Sequence, residues 1–141
     1  MAEILKLSKI CTERDPDRDE QRTRMMALLT AGTNVDATDK NGVTALHHAV
    51  RFRNPTAVRT LIEFGADVNL PCRRSGSTPL HRAVTSTGAP GAAGRDDEVR
   101  QIVELLLSAG ADPTFRNKRG KTPADYCIDS DLIQKLTTAS V

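Results

Sequence analysis

Three histidines, three cysteines and one glycine-rich stretch are the residues of this 141-residue chain that could carry chemistry. His47, His48 and His81 form no set with Cys or Asp at the short spacing that a metal site requires. A cysteine nucleophile needs a base poised beside it. Cys127 has no His near it in sequence and Cys72 lies in a turn-forming stretch, so both read as passive thiols. Cys11, Cys72 and Cys127 are far apart and show no C-x-x-C pair, a sparse odd set that fits free thiols in a reducing compartment. The segment Thr85–Glu98 contains Gly88, Gly91 and Gly94, but no Gly-Lys-Ser/Thr follows and no strand precedes it, so it is read as a flexible insertion and not a phosphate loop. Carboxylates such as Asp36, Asp67 and Asp112 recur at equivalent places and do not pair for acid–base work. We therefore expect no metal, no cofactor and no catalytic activity, and look for a binding function.

Composition narrows the kind of binding. A net charge of +2 rules out polyanion binding by bulk charge. Phe52, Phe64, Phe115 and Tyr126 are the whole aromatic complement, too few for base-stacking platforms, so nucleic acid is not an expected partner. The N-terminal stretch MAEILKLSKICTERD is short in apolar residues and broken by Lys6 and Lys9, so it reads neither as a signal peptide nor as a membrane span. The cytoplasm is the expected location, with the nucleus reachable by diffusion.

A chain of this length fits one domain. With so few rings, its core must be built from aliphatic side chains, which suits close-packed helices. Those helices are organised by a repeat. GVTALHHAV begins at Gly42, GSTPLHRAV at Gly76 and GKTPADYCI at Gly120. Helix endings with a shared pattern stand between them: MMALLTAGTNVD up to Asp36, TLIEFGADVN up to Asn69 and VELLLSAGADPT up to Thr114. From Gly32 to Gly65 is 33 residues and from Gly65 to Gly110 is 45; from Gly42 to Gly76 is 34 and from Gly76 to Gly120 is 44. Thr44 and Thr78 are N-cap candidates, and Pro79 sits in a first turn where its missing N–H costs nothing. Leu46, Ala49 and Val50, and again Leu80, Ala83 and Val84, form a narrow apolar stripe at i, i+3, i+4. Val58, Leu61 and Ile62, then Ile102, Val103, Leu106 and Leu107, do the same on the following helices. Gly32, Gly65 and Gly110 should end helices in the left-handed conformation.

The phrase and the period near 33 residues resemble the ankyrin repeat, and the resemblance covers nearly the whole chain. It implies an all-α ankyrin-repeat solenoid of stacked helix-turn-helix units with β-turn fingers, in one domain over residues 1–141. The approximate repeats are 1–36, 37–69, 70–114 and 115–141. The first holds helices near Ala2–Cys11 and Gln21–Thr30 around the charged Glu13–Glu20 loop, and the last is polarised as a cap by Asp125, Asp129, Asp131, Gln134 and Lys135. Met1 and the two capped ends lead us to expect a complete unit. In this family the His of the phrase ties neighbouring turns together, which assigns His47 and His81 a structural role, while His48 is expected to face outward alone. Leu61, Asp67, Val68 and Asn69 also match the spacing around asparagines that are hydroxylated in some ankyrin proteins; Asn69 is read first as a brace of its own turn.

The function implied is protein–protein interaction, as an adaptor, an inhibitor or a regulatory subunit. The partner would sit on the concave surface of fingers and first helices. Exposed finger positions are then Lys40, Asn41 and Val43; Arg73, Arg74, Ser75 and Ser77; and Lys118, Arg119 and Lys121, with Arg116 adjacent. Basic residues occur in every finger and should align into a positive stripe suited to an acidic segment of a partner. Arg51 and Phe52, then Thr85 and Ser86, are the groove-facing helix positions, and Phe52 is the candidate anchor. The alternative is a module for anionic lipid or another ligand using the same stripe. The protein alone is expected to be a monomer.

Overall fold

The computed structural model describes residues 2–13, 17–85, 96–127 and 130–139. Its helices are α1 (Ala2–Cys11), α2 (Arg18–Thr30), α3 (Ala45–Arg51), α4 (Pro55–Glu63), α5 (Pro79–Thr85), α6 (Asp96–Ser108), α7 (Pro123–Tyr126) and α8 (Ser130–Ala139). They pair in chain order, and the pairs stack. One row runs α1, α3, α5, α7, and a second row runs α2, α4, α6. Helix two of the first unit begins at Arg18, earlier than Gln21, because Asp17 caps it by accepting from the N–H groups of Asp19 and Glu20 at 3.1 Å each.

The repeated phrase is a reciprocal helix cap. Thr44 Oγ1 accepts from the His47 N–H at 3.2 Å, and Nδ1 of His47 accepts from the Thr44 N–H at 3.3 Å. Thr78 and His81 repeat this, with the Thr78 N–H 3.1 Å from Nδ1. In α7 Asp125 takes the place of His, and its Oδ2 accepts from the Thr122 N–H at 2.8 Å. A side chain with an acceptor at this position satisfies the same orphan donor, so the reciprocal cap survives the loss of His from the last phrase, although α7 is four residues long where α3 and α5 are seven.

Helices α2, α4 and α6 end on glycines with positive φ: 104° at Gly32, 87° at Gly65 and 97° at Gly110. The next N–H folds back to the helix in each case, as from Ala66 to the Leu61 carbonyl at 3.0 Å and from Ala111 to Leu106 at 2.9 Å. Helix α3 ends differently: Arg53 itself adopts φ 52°, and the Asn54 N–H reaches the Ala49 carbonyl at 3.1 Å.

Apolar stripes from both rows merge into one core. Leu46, Val50, Leu61, Leu80, Val84, Ile102, Val103 and Leu106 are all buried, as the i, i+3, i+4 spacing requires. Ala49 and Ala83 lie in the same core, where their small side chains let α3 and α5 approach. A polar tie crosses the first interface: Gln21 donates to the Ile10 carbonyl at 2.8 Å and accepts from Nδ2 of Asn54 at 2.8 Å. Of the cap residues expected in the last unit, Asp125 and Gln134 are exposed, and Lys135 is half-buried and pairs with Glu104. The side chains of Asp129 and Asp131 lie outside the described residues, as do residues 86–95 of the long insertion, Ser86 among them.

Between the helix pairs the chain turns through fingers at Gly42 and Gly76. A Cβ on Gly42 would lie 2.6 Å from Cβ of Arg73, and one on Gly76 would lie 3.0 Å from Cγ of Lys118. Each glycine therefore lets the next finger close on its own.

Candidate functional site

The finger ladder is built from the backbone outward. Asp39 organises the first finger: Oδ1 accepts from the N–H groups of Asn41 at 2.9 Å and Val43 at 3.1 Å. Burial works against charge on Asp39, but these N–H groups and His48 outweigh it and hold the carboxyl below its ordinary range. Asn117 organises the third finger in the same way, with Oδ1 accepting from Arg119 and Lys121. The histidines then bind each helix pair to the finger beyond it. Since Nδ1 accepts, the other ring nitrogen carries the proton, and Nε2 donates to the Ser77 carbonyl from His47 at 3.1 Å and to the Lys121 carbonyl from His81 at 2.8 Å. Burial is the largest influence on both rings and favours the neutral form; the pKa of His47 falls to about 4.

Basic side chains follow the ladder. Nη1 of Arg73 donates to the Lys40 carbonyl at 3.4 Å, Nζ of Lys118 donates to the Arg73 carbonyl, and the Lys118 N–H donates to the Ser75 carbonyl at 2.9 Å. Lys40, Arg73 and Lys118 are exposed, but Arg73 and Lys118 spend donors on fastening one finger to the next.

Beside the ladder lies an open cavity of about 360 Å³ lined by Arg51, Ser75, Ser77, Arg82, Thr85, Arg119 and Tyr126. Five of these are positions the sequence pointed to: Arg51, Ser75, Ser77, Thr85 and Arg119. Lys40, Asn41, Phe52, Arg73, Arg74, Lys118 and Lys121 do not line it. They are exposed, and Phe52, 41% exposed, is the large exposed apolar side chain among the described residues.

Two expectations are corrected. Val43 is not an exposed finger residue: it retains 8% exposure, because its N–H and carbonyl are both engaged by Asp39 and hold it against the finger. His48 does not stand outward alone; it is half-buried with Nε2 3.3 Å from Oδ2 of Asp39.

Arg82 and Tyr126 were missed, and a signal for them was present. Aligning the phrases on Gly42, Gly76 and Gly120 puts His48, Arg82 and Tyr126 in one register, directly after the capping His or Asp. Tyr126 is set in place by Asn117, whose Nδ2 donates to its phenolic oxygen at 2.9 Å and also lies 3.3 Å from Ser77 Oγ. The Tyr126 ring meets His81 edge-on, with centroids 6.1 Å apart. Below this surface Cys72 is buried, with Sγ 3.1 Å from Ser75 Oγ. Burial pushes its thiol up, but hydrogen bonds from Ser75, the Ser77 backbone and Arg82 prevail and bring the pKa down to about 7. Cys11, by contrast, is pushed up to about 12 by burial and by Glu13.

Asn69 spends both ends of its amide on the neighbouring turn, donating to the Gly110 carbonyl at 3.0 Å and accepting from the Asp112 N–H at 2.7 Å. A larger cavity, about 680 Å³, lies over the outer side of α1 and α2 at Ile10, Ala27 and Leu28. Lys6, Lys9, Glu13 and Arg24 also line it, and Arg24 is paired with both carboxylate oxygens of Glu13, at 2.6 and 2.7 Å, so unlike the groove it carries a carboxylate among its lining residues. Among the described residues no cluster of His, Cys, Asp and Glu could hold a metal ion, and no helix is long and apolar enough to cross a membrane.

Stacked helix pairs with fingers bound to the next unit define a helical repeat solenoid with a groove along one face. The family model for ankyrin repeats, in three copies, matches residues 19–117, and the chain belongs to the ankyrin-repeat family. It is 41% identical over 112 residues to Ankyrin repeat and SOCS box protein 11 of Danio rerio, covering 79% of this chain and 34% of that protein. It is 33% identical over 114 residues to Rabankyrin-5 of Mus musculus, covering 76% of this chain and 10% of that protein. A stretch of 75 residues is 44% identical to the 2-5A-dependent ribonuclease of Homo sapiens, 9% of that protein. The chain thus spans about a third of the first relative and about a tenth of the other two. Ankyrin repeats are, in general, non-catalytic modules for protein–protein interaction.

Proposed function

We propose that this chain works by binding another protein in the groove beside the finger ladder. The observation that carries the reading is the convergence of Arg51, Arg82 and Arg119 on one cavity with no carboxylate among its lining residues. Such a surface selects an acidic segment of the partner. Lys40, Arg73, Arg74, Lys118 and Lys121 extend the positive field along the fingers and steer the approach. Phe52 supplies an apolar anchor at the end of α3, where Arg51 enters the groove, and Asn41 adds a polar contact at the first fingertip.

The role is that of an adaptor, an inhibitor or a regulatory subunit that acts by occupying a surface, and the chain performs no catalysis of its own. It acts as a monomer. Cys11, Cys72 and Cys127 are buried and form no disulfide among the described residues, which fits a reducing interior such as the cytoplasm or nucleus.

The test is a paired capture from cell extract with the native chain and with an Arg51→Glu, Arg119→Glu variant of equal helicity. These two side chains are exposed and make no ion pair among the described residues, so their reversal should leave the fold intact. A partner held by the native chain and lost by the variant supports the groove. A partner held equally by both moves the interface elsewhere and overturns the proposal.

A further inference from the structure

We propose that the open furrow over α1 and α2 is a second docking surface, and that it takes an acidic amphipathic helix of a partner protein. This surface is separate from the finger groove and stands whatever the groove binds.

Register shows that the furrow is an uncovered stacking face. Four residues before Gly32, Gly65 and Gly110 stand Leu28, Leu61 and Leu106, and eight before stand Arg24, Ala57 and Ile102. In the inner units Ala57, Leu61, Ile102 and Leu106 are all buried, whereas Leu28 is half-buried and Arg24 is exposed. The companion helix repeats the contrast. Leu7, Ile10 and Cys11 keep the i, i+3, i+4 spacing of Leu46, Ala49 and Val50, yet Ala49 is buried and Ile10 is half-buried. Positions that are closed inside the array are open in the first unit, and the cavity of about 680 Å³ lies over them. Its lining comes from α1, α2 and Glu13, with nothing from α3 or α4.

Shape selects a helix as the occupant. Lys6, Lys9 and Ile10 line the furrow from α1, and Arg24, Ala27 and Leu28 line it from α2. Each row advances by the three- and four-residue steps that form a packing ridge, and the space between two such ridges receives the ridge of a third helix. Helix-on-helix contact of this kind already joins α1 to α3 and α2 to α4, so a docked helix continues the stacking of the array by one layer. Ile10 and Leu28 are held from beneath by the core. Ala27 is exposed and small, which lets a backbone approach closely.

Charge selects the sign of that helix. Glu13 and Arg24 already satisfy each other, at 2.6 and 2.7 Å. Lys6 and Lys9 are exposed, stand one turn apart and make no ion pair among the described residues. A helix in the furrow therefore meets two available cations along its α1 edge. Carboxylates one turn apart on that edge would pair with both, and a basic helix would be repelled.

The experiment offers a displayed library of helix-forming peptides, randomised on one face and its flanks, to the immobilised full chain. Three variants serve as further baits, each matched to the native chain in helicity: Ala27→Arg; Lys6→Glu with Lys9→Glu; and Arg51→Glu with Arg119→Glu. The native chain should select peptides with an apolar row at i, i+3, i+4 flanked by Asp or Glu. A synthetic copy of a selected peptide should lose about tenfold or more in affinity on Ala27→Arg, which fills the furrow and keeps its positive charge, and a similar amount on the Lys6, Lys9 variant. Its affinity for the Arg51, Arg119 variant should match that for the native chain. No enrichment on the native chain over Ala27→Arg would overturn the proposal, and so would selected peptides without an acidic flank. Loss confined to the Arg51, Arg119 variant would place the helix in the finger groove and overturn it. Sedimentation of the native chain alone runs alongside: a concentration-dependent dimer abolished by Ala27→Arg would give this face to a second copy and overturn it as well.

Discussion

Nδ2 of Asn54 donates to Oε1 of Gln21 across 2.8 Å, and both side chains are buried between the first two helix pairs. Gln21 passes the bond on to the Ile10 carbonyl, and Asn54 also caps α4 through the Ala57 N–H at 3.1 Å. Removing Gln21 strands a buried amide and a buried carbonyl together. Gln21→Ala should cost about 2–3 kcal/mol, read as a lower urea midpoint at unchanged slope. Asn54→Ala should cost at least as much, since the cap goes too. A loss under 1 kcal/mol for Gln21→Ala, taken as about the net worth of an ordinary hydrogen bond, would contradict the buried tie.

Glycines at equivalent positions should differ in their tolerance of a methyl group. Gly42 and Gly120 have φ of 72° and 74°, but an added Cβ meets Arg73 at 2.6 Å in the first case and nothing within 4 Å in the second. Gly120→Ala should therefore cost only the left-handed backbone penalty of about 1 kcal/mol. Gly42→Ala should cost clearly more, and thermal melts of the two variants side by side give the comparison.

Acid should weaken the ladder before it protonates most carboxylates. Burial lowers the pKa of His47 from an ordinary 6.5 to about 4, and lowers that of His81 as well. Below pH 6.5 the unfolded chain binds protons that the folded chain refuses, so stability is full above that value and declines as pH falls toward 4. The His47 share is about 3 kcal/mol. Urea unfolding between pH 7.5 and 4 should show the decline, and His47→Gln should flatten it.

Thiol chemistry should rank the cysteines. Cys72, brought down to about 7, is part thiolate near neutrality, whereas Cys11, at about 12, is not. Both are buried, so access limits each, and alkylation followed by peptide mapping should label Cys72 first. Arg82→Met should slow Cys72 and leave Cys11 alone.

Phe52 offers a test of function apart from stability. At 41% exposure it should tolerate Phe52→Ser with a stability change of roughly 1 kcal/mol or less. Capture of the partner should nevertheless fall.

Sequence periodicity was enough to read the helix pairs and their glycine ends, because those features depend on residue type at fixed spacing, and the resemblance to the ankyrin repeat supplied the inter-unit role of His47 and His81. Val43 was misplaced because a finger position looks exposed from the phrase alone. Asp39, four residues earlier, pins both its backbone groups. His48 was misread for a related reason, as its carboxylate partner lies nine residues away across the same finger. Arg51, Ser75, Ser77 and Arg119 were each legible as surface residues. That they surround one space, with Arg82 and Tyr126, follows from the stacking angle of successive units, which no single repeat encodes. Asn117, which sets Tyr126 and the third finger, gave no sign in the phrase because it precedes it.

The groove draws its walls from three successive helix pairs: Arg51 from one, Ser75 through Thr85 from the next, and Arg119 with Tyr126 from the last. A ligand seated there touches all three at once and cannot be held by any one of them. Occupancy would then act as a strap across the middle of the array. Fraying that starts at either end would halt at the bound segment, and a chain that melts unit by unit when empty would come apart as a single block when full.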